Sequence, residues 1–316
     1  MRRAGLLASV ALFAACSQSP LLFTDGIELA AKARQLDAYP LRSTSFAGGV
    51  RGLADVVYAR HDGFRPLTLD LYLPPEPLPV AGAPLIIYVH GGGWAGGHAR
   101  ASGAFSDFPG VLARFAARGY AVASINYRLS GEARFPVPLD DVRTAVAWLH
   151  KQASTYALDT SRVALWGGSA GGHLAALAAL QCTSQCPKVL VSWYGVHDLQ
   201  ALRDTPDYLA IRSAAGRLLG CELTHCDLAV LQAASPVGRL QGRGPATLLI
   251  HGDADRVVPY EQTLLLADRL RRQGGMVRSL VVPGVGHSLV GADQAATAAG
   301  NKAALEATLE FLQQNL

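Results

Sequence analysis

Ser169, Asp255 and His287 are residues whose types and order suit acyl transfer through a covalent intermediate. A serine hydroxyl is a weak nucleophile at neutral pH, so it requires a base within hydrogen-bond reach and a carboxylate to orient that base. Ser169 stands in Gly167-Gly168-Ser169-Ala170-Gly171-Gly172, His287 follows Gly286, and Asp255 closes His251-Gly252-Asp253-Ala254-Asp255. Serine, aspartate, histidine is one of three chain orders in which this triad recurs. Asp253 and Asp198 are alternative carboxylates, with Asp255 favoured by its place in the motif. His90, His173, His197 and His251 each adjoin a tight loop and read as positioning hydrogen-bond partners rather than as the base. A serine in this setting could also cap the helix that follows it. Dinucleotide binding is disfavoured, because G-x-G-x-x-G fails at Ser169 and no P-loop lysine follows.

These residues need a scaffold that brings distant loops together. Val163 to Trp166 is an apolar run, and Leu174, Leu177 and Leu180 recur at helical spacing beyond Ser169. A buried parallel strand therefore turns into a helix at the serine. Residues 54–58 and 67–73 alternate as strands of an antiparallel edge, and 84–89 is a continuous apolar strand ending in His90-Gly91-Gly92-Gly93-Trp94. Three successive glycines let backbone N–H groups approach a ligand closely, which suits a developing oxyanion.

Further strands are expected at 121–125, 189–194, 246–250 and 279–282, separated by helices over 105–118, from Pro138, from Pro259 and at the C-terminus. Asp140 and Asp141 fall in the first turn of the Pro138 helix, where carboxylates offset the helix dipole, and read as structural. Strands alternating with helices give an α/β class with a mostly parallel sheet covered on both faces. Asp255 and His287 each follow a strand of their own, so the loops at one sheet edge can converge on Ser169. Residues 199–244 break the rhythm and are read as a cap insertion.

Composition narrows the function classes. The chain has 316 residues, half of them hydrophobic, which is enough for one large domain. Charged residues are 16% and the formal net charge of +4 is spread without a basic run, the densest group being Arg269, Arg271 and Arg272 on an outer helix face. That balance argues against nucleic acid as a partner.

Residues 1–16 read as an export signal, with Arg2 and Arg3 before the apolar run Leu6 to Ala15, and small residues preceding Cys16. The run is too short to span a bilayer. Lipidation of Cys16, and so a location in the cell envelope on a lipid anchor, is the expectation; secretion without lipid is the alternative. Cys182, Cys186, Cys221 and Cys226 remain as an even set in an exported chain, which points to disulfides. Spacing suggests Cys182 with Cys186 and Cys221 with Cys226, although three connectivities are open and zinc is the competing use. No claim attaches to the weakly patterned segment 17–52.

Taken together, the chain resembles the α/β-hydrolase superfamily, in the esterase and lipase branch that includes bacterial feruloyl and acetyl esterases and is related to hormone-sensitive lipase-like carboxylesterases. The resemblance is carried by Leu69-Asp70-Leu71-Tyr72-Leu73-Pro74, His90 to Trp94, Asn126-Tyr127-Arg128-Leu129, Phe135-Pro136 with Asp141, Gly167 to His173, His251-Gly252 with Asp255, and Gly286-His287. It covers residues 53–316. One departure is Gly168, where the hormone-sensitive group usually carries aspartate, and the Cys221 to Cys226 region belongs to the variable cap.

The resemblance implies a serine hydrolase acting on small-molecule carboxylic esters without cofactor or metal. Ser169 would attack, His287 take the proton, and Asp255 hold the imidazole, with an oxyanion hole of Gly91, Gly92 and Ala170. Trp94 and Tyr194 are expected to contact substrate. Rival readings are an amidase, arylformamidase-like or peptidase-like hydrolase of the same fold, and a binding protein that has lost catalysis.

Overall fold

A computed structural model describes residues 42–316; the expected export signal, Cys16 and the segment up to residue 41 lie outside the described residues. Nine strands among them form one sheet in the order β1-β2-β3-β5-β4-β6-β7-β8-β9. They are β1 Arg42–Phe46, β2 Val50–Ala59, β3 Leu67–Leu73, β4 Ala83–Val89, β5 Ala121–Ile125, β6 Leu158–Gly168, β7 Val189–Trp193, β8 Ala246–Gly252 and β9 Val277–Val282. From β5 through β4 and β6 to β9 all neighbours are parallel, while β1, β2 and β3 add an antiparallel edge. The architecture is therefore the α/β sandwich that the alternating pattern implies.

The sheet starts before residue 53, where the resemblance began. Arg42 to Phe46 pairs with Val50 to Ala54 across a turn at Gly48 and Gly49, both with positive φ. Its first four residues are exposed. With only Phe46 packed against the core, this strand carries no apolar alternation for a sequence pattern to report.

Alternation along β4 shows how the two faces are built. Leu85, Ile87 and Val89 join the core on one side, and Ile86 and Tyr88 join the core on the other, as side chains two residues apart must share a face. The first core is closed by α2 Val137–Lys151, α3 Ala170–Leu180 and α5 Glu261–Arg272, the second by α1 Phe108–Ala116 and α6 Gln294–Asn315. Every residue of α3 is buried, which its run of alanines and glycines allows by letting neighbouring backbones close in. Between β7 and β8, residues 199–239 form short helices around α4 Leu209–Leu219.

Cross-links tie the loops to this frame. Asp141, buried in the first part of α2, takes a two-pronged ion pair from Arg128, so its role is structural as its helix position suggested. Cys182 with Cys186 and Cys221 with Cys226 sit at bonding distance, their Cα atoms 5.4 Å apart in each pair.

Candidate active site

Ser169 occupies the turn between β6 and α3 with φ 54° and ψ −122°, a conformation that a side chain adopts only when its surroundings enforce it. The enforcement is visible in the glycines. A Cβ on Gly171 would overlap the Val89 carbonyl, and one on Gly167 would overlap the Gly171 backbone. The Ser169 N–H is itself committed to the Trp193 carbonyl at 2.9 Å. The hydroxyl is left over the carboxyl edge of the sheet.

His287, on the loop after β9, meets that hydroxyl. Its Nε2 lies 3.0 Å from Ser169 Oγ and its Nδ1 2.8 Å from Asp255 Oδ2. With Nδ1–H donating to the carboxylate, Nε2 is free to accept from the serine. Asp255, in the loop after β8, is tightly held: Oδ1 accepts the Val257 and Val258 N–H groups at 2.8 and 2.9 Å, and Oδ2 faces a second imidazole, His251 Nε2, at 3.1 Å. Burial by itself would raise this carboxyl, but hydrogen bonds from His251 and His287 and the backbone donors hold it well below the usual carboxylate range. Asp255 is therefore charged wherever the protein is folded near neutrality.

The alternative carboxylates are placed elsewhere. Asp253 accepts from the Gly284 N–H at 2.7 Å on the exposed side of its loop, and Asp198 caps the helix that begins at Leu199. The four other histidines near the sheet edge are buried and hydrogen-bonded. His251 also touches Thr263 Oγ1 at 2.8 Å. His90 donates to the Gly91 carbonyl at 2.8 Å and stacks on Tyr127. His173 donates to Ala234 O at 2.7 Å, and His197 lies 3.0 Å from both Ser192 Oγ and Gln262 O. Burial, opposed in part by these carbonyls, lowers His90 and His173 to about 4 and His197 to about 3.

A cavity of about 430 Å³ opens over Ser169 and His287. Gly91 and Gly92 line it, and a Cβ on Gly91 would come within 3.3 Å of the Ser169 Cβ. Gly92 has φ 108°, which only glycine holds without strain. Ala170 opens α3, so its N–H has no intrahelical acceptor. Ile211 and Ala214 of α4 and Val257 close the far side.

Tyr194 lines the cavity and presents its ring edge-on to His287, centroids 4.9 Å apart. Burial pushes its hydroxyl up to about 12, against the lowering effect of hydrogen bonds with Ser288 and Ser102. Trp94 requires a correction. It is fully buried, packs edge-on against His173 and donates its indole N–H to His173 Nδ1 at 3.2 Å, so it supports the glycine loop from behind instead of facing substrate. An aromatic beside a glycine run looks the same in sequence whether it points into the cavity or under it. Ser102, Gly103 and Ser288 also line the cavity. Nothing in the pattern of residues 98–104 marks Ser102 or Gly103, while Ser288 directly follows His287.

The fold and the serine-centred hydrogen-bond chain define an α/β-hydrolase. Residues 69–270 match the BD-FAE family model, and the chain belongs to that family. It is 34% identical over 223 residues to esterase LipC of Mycobacterium tuberculosis, covering 66% of this chain and 54% of that protein. It is 30% identical over 254 residues to ethyl acetate hydrolase of Pseudomonas putida, covering 75% of this chain and 76% of that enzyme. A solved structure of a truncated carbohydrate esterase from gut microbiota superposes with a TM-score of 0.67 at 25% identity, covering 83% of this chain and 95% of that one. The chain spans about half the length of LipC and of another M. tuberculosis relative, the probable carboxylic ester hydrolase LipM, with 54% and 48% of each covered.

Proposed function

We propose that this chain hydrolyses small-molecule carboxylic esters through an acyl-enzyme formed on Ser169. The observation that carries the reading is the hydrogen-bond chain from Ser169 Oγ through His287 to Asp255 Oδ2. As Ser169 Oγ attacks the ester carbonyl carbon, His287 Nε2 takes the hydroxyl proton, and the imidazolium is stabilised by Asp255. The carbonyl oxygen becomes an oxyanion at the N–H groups of Gly91, Gly92 and Ala170. Collapse of the tetrahedral intermediate breaks the bond to the alcohol, which leaves with the proton from His287. Water, deprotonated in turn by His287, attacks the acyl carbon and releases the acid. Tyr194 is assigned to the wall that receives substrate. The names of LipC and ethyl acetate hydrolase support esters as the class over amides.

A fluorophosphonate probe should label Ser169, and Ser169→Ala should lower kcat for a p-nitrophenyl ester by roughly 10⁴-fold or more with the folded state retained. Unlabelled wild-type protein, or near wild-type turnover by the variant, would overturn the assignment.

Export and lipid attachment at Cys16 are part of the same proposal, supported by the basic and apolar pattern of residues 1–16 and by the two cysteine pairs, which we infer to be disulfides. Radiolabelled palmitate incorporation that persists in Cys16→Ala would remove the anchor.

A further inference from the structure

A second cavity, of about 720 Å³, lies on the other side of α4 from the serine. The helix is the shared wall. Ala210, Ile211 and Ala214 face the Ser169 cavity, while Arg212, Ser213 and Arg217 face the second one. Ala95, in the same loop as Gly91 and Gly92, borders the second cavity too, and Gly93 packs against Ala214 where loop and helix meet. The two spaces are thus adjacent and share both boundaries.

The second cavity is basic. Arg134, Arg212 and Arg217 line it against one acid, Glu222, whose two carboxylate oxygens face Thr224 Oγ1 at 3.1 Å and His225 Nδ1 at 3.2 Å. Arg217 reaches Ser213 Oγ at 2.9 Å. Arg134 and Arg212 take part in no ion pair among the described residues, whereas Arg100 and Arg128 are each paired with an aspartate. A place at the C-terminal end of α4, where cations offset the dipole, accounts for Arg217 and for Arg134 lying against Gly220. It does not account for Arg212, two turns earlier. Its Nε is buried with no hydrogen-bond partner. A buried donor left unpaired costs about 1–3 kcal/mol, so such a group is retained where something pairs with it.

We propose that this cavity is an anion site: Arg212 and Arg134 bind a carboxylate or phosphate group beside the serine centre. Guanidinium forks suit such oxyanions by two-pronged hydrogen bonding. The group is either an acidic substituent on an extended ester substrate, a reading that rests on the proposed hydrolase activity, or a free small anion held against α4.

Binding itself is tested without turnover. Titration calorimetry of the full chain carrying Ser169→Ala, with inorganic phosphate and separately with D-glucuronate as probes, should give saturable heat. Affinity should fall about tenfold or more on adding Arg212→Gln or Arg134→Gln, as expected for loss of a charge-assisted bond. Absence of binding, or binding that neither substitution weakens, would overturn the site. Arg134 is exposed, so its variant remains informative if the Arg212 variant folds poorly.

Kinetics on the active protein then separate the sources. If the anion belongs to the substrate, an acetyl ester of methyl glucuronide has a KM about tenfold below that of the acetyl ester of methyl glucoside, and Arg134→Gln closes the gap. If it is a free anion, phosphate shifts KM for both esters alike. Equal KM values with no response to phosphate would leave the site without a link to the reaction and overturn the proposed coupling. Loss of all ester turnover would strike the hydrolase reading and leave the calorimetric result standing.

Discussion

Asp255 illustrates how much of this site is decided by hydrogen-bond partners beyond Ser169, His287 and Asp255 themselves. Its Oδ2 is shared between His287 and His251, so the carboxylate beside His287 is itself held by a second histidine. His251 Nε2 also faces the Val258 carbonyl at 3.0 Å and His251 Nδ1 faces Thr263 Oγ1, a buried arrangement that fixes ring and carboxylate together. Displacement of a reacting group by about 1 Å can cost roughly 100-fold in rate. His251→Phe should accordingly reduce kcat for a p-nitrophenyl ester by about 100-fold with KM little changed, and His251→Asn should recover part of it. Wild-type kcat in the Phe variant would remove His251 from the positioning role. That Asp255, and not Asp253, faces the histidine follows from loop geometry two residues apart, with Asp253 spent on the Gly284 N–H.

Strand β6, its turn and α3 form the element on which the site depends. The strand delivers Ser169 above the sheet, and the helix is held so close to β4 that Gly171 has no room for a side chain. A methyl group there would have to displace the Val89 and His90 backbone, which leads directly into the Gly91-Gly92 loop. Gly171→Ala should therefore reduce thermal stability by about 1–3 kcal/mol, the usual cost of overpacking, and depress turnover beyond what stability explains. Chemical denaturation beside kinetics at a temperature where the variant is folded measures both; a variant matching wild type in the two would show that the approach of strand and helix is not limiting. α4 is the second decisive element. It contributes Ile211 and Ala214 to the Ser169 cavity and Arg212 to the basic one, so its sequence sets both spaces at once.

At the scale of the molecule, buried imidazoles govern the response to acid. His90 and His173 at about 4 and His197 at about 3 remain neutral in the folded state, whereas an unfolded histidine titrates near 6.5. Between about pH 6.5 and pH 4 the unfolded chain thus binds more protons than the native one, and stability rises with pH across that window. Lowering the pH from 7 to 5 should shrink the unfolding free energy, with proton uptake on unfolding rising to nearly three per molecule at pH 5, read from urea unfolding at a series of pH values. Asp255 acts lower down: its depressed carboxyl contributes stability above the unfolded value near 4, and that contribution is lost as pH falls further. A flat stability profile from pH 7 to 5 would show that these histidines are not buried neutral.

Much of the fold, and the meeting of Ser169, Asp255 and His287 at one sheet edge, was legible in the chain itself. The run 84–89 and the strand before Ser169 are apolar because both faces of a central parallel strand are covered, and the glycines mark where backbones must touch. Strand and helix periodicity also ordered the loops so that Ser169, Asp255 and His287 could meet. Local pattern does not encode direction, and the misreading of Trp94 comes from there: its backbone at φ 57° turns the indole under the loop towards His173. Nor does it encode an edge strand such as Arg42–Phe46, where only Phe46 packs against the core.

What the sequence by itself determined is the order of elements and the chemistry at their ends, because backbone periodicity and glycine sterics act between near neighbours. Tertiary structure alone decided that His251 shares Asp255, that Tyr194 lies edge-on to His287, and that one helix separates the cavity over Ser169 from a basic one. Those relations join residues on different elements of the chain, and only packing in three dimensions sets the distance between them.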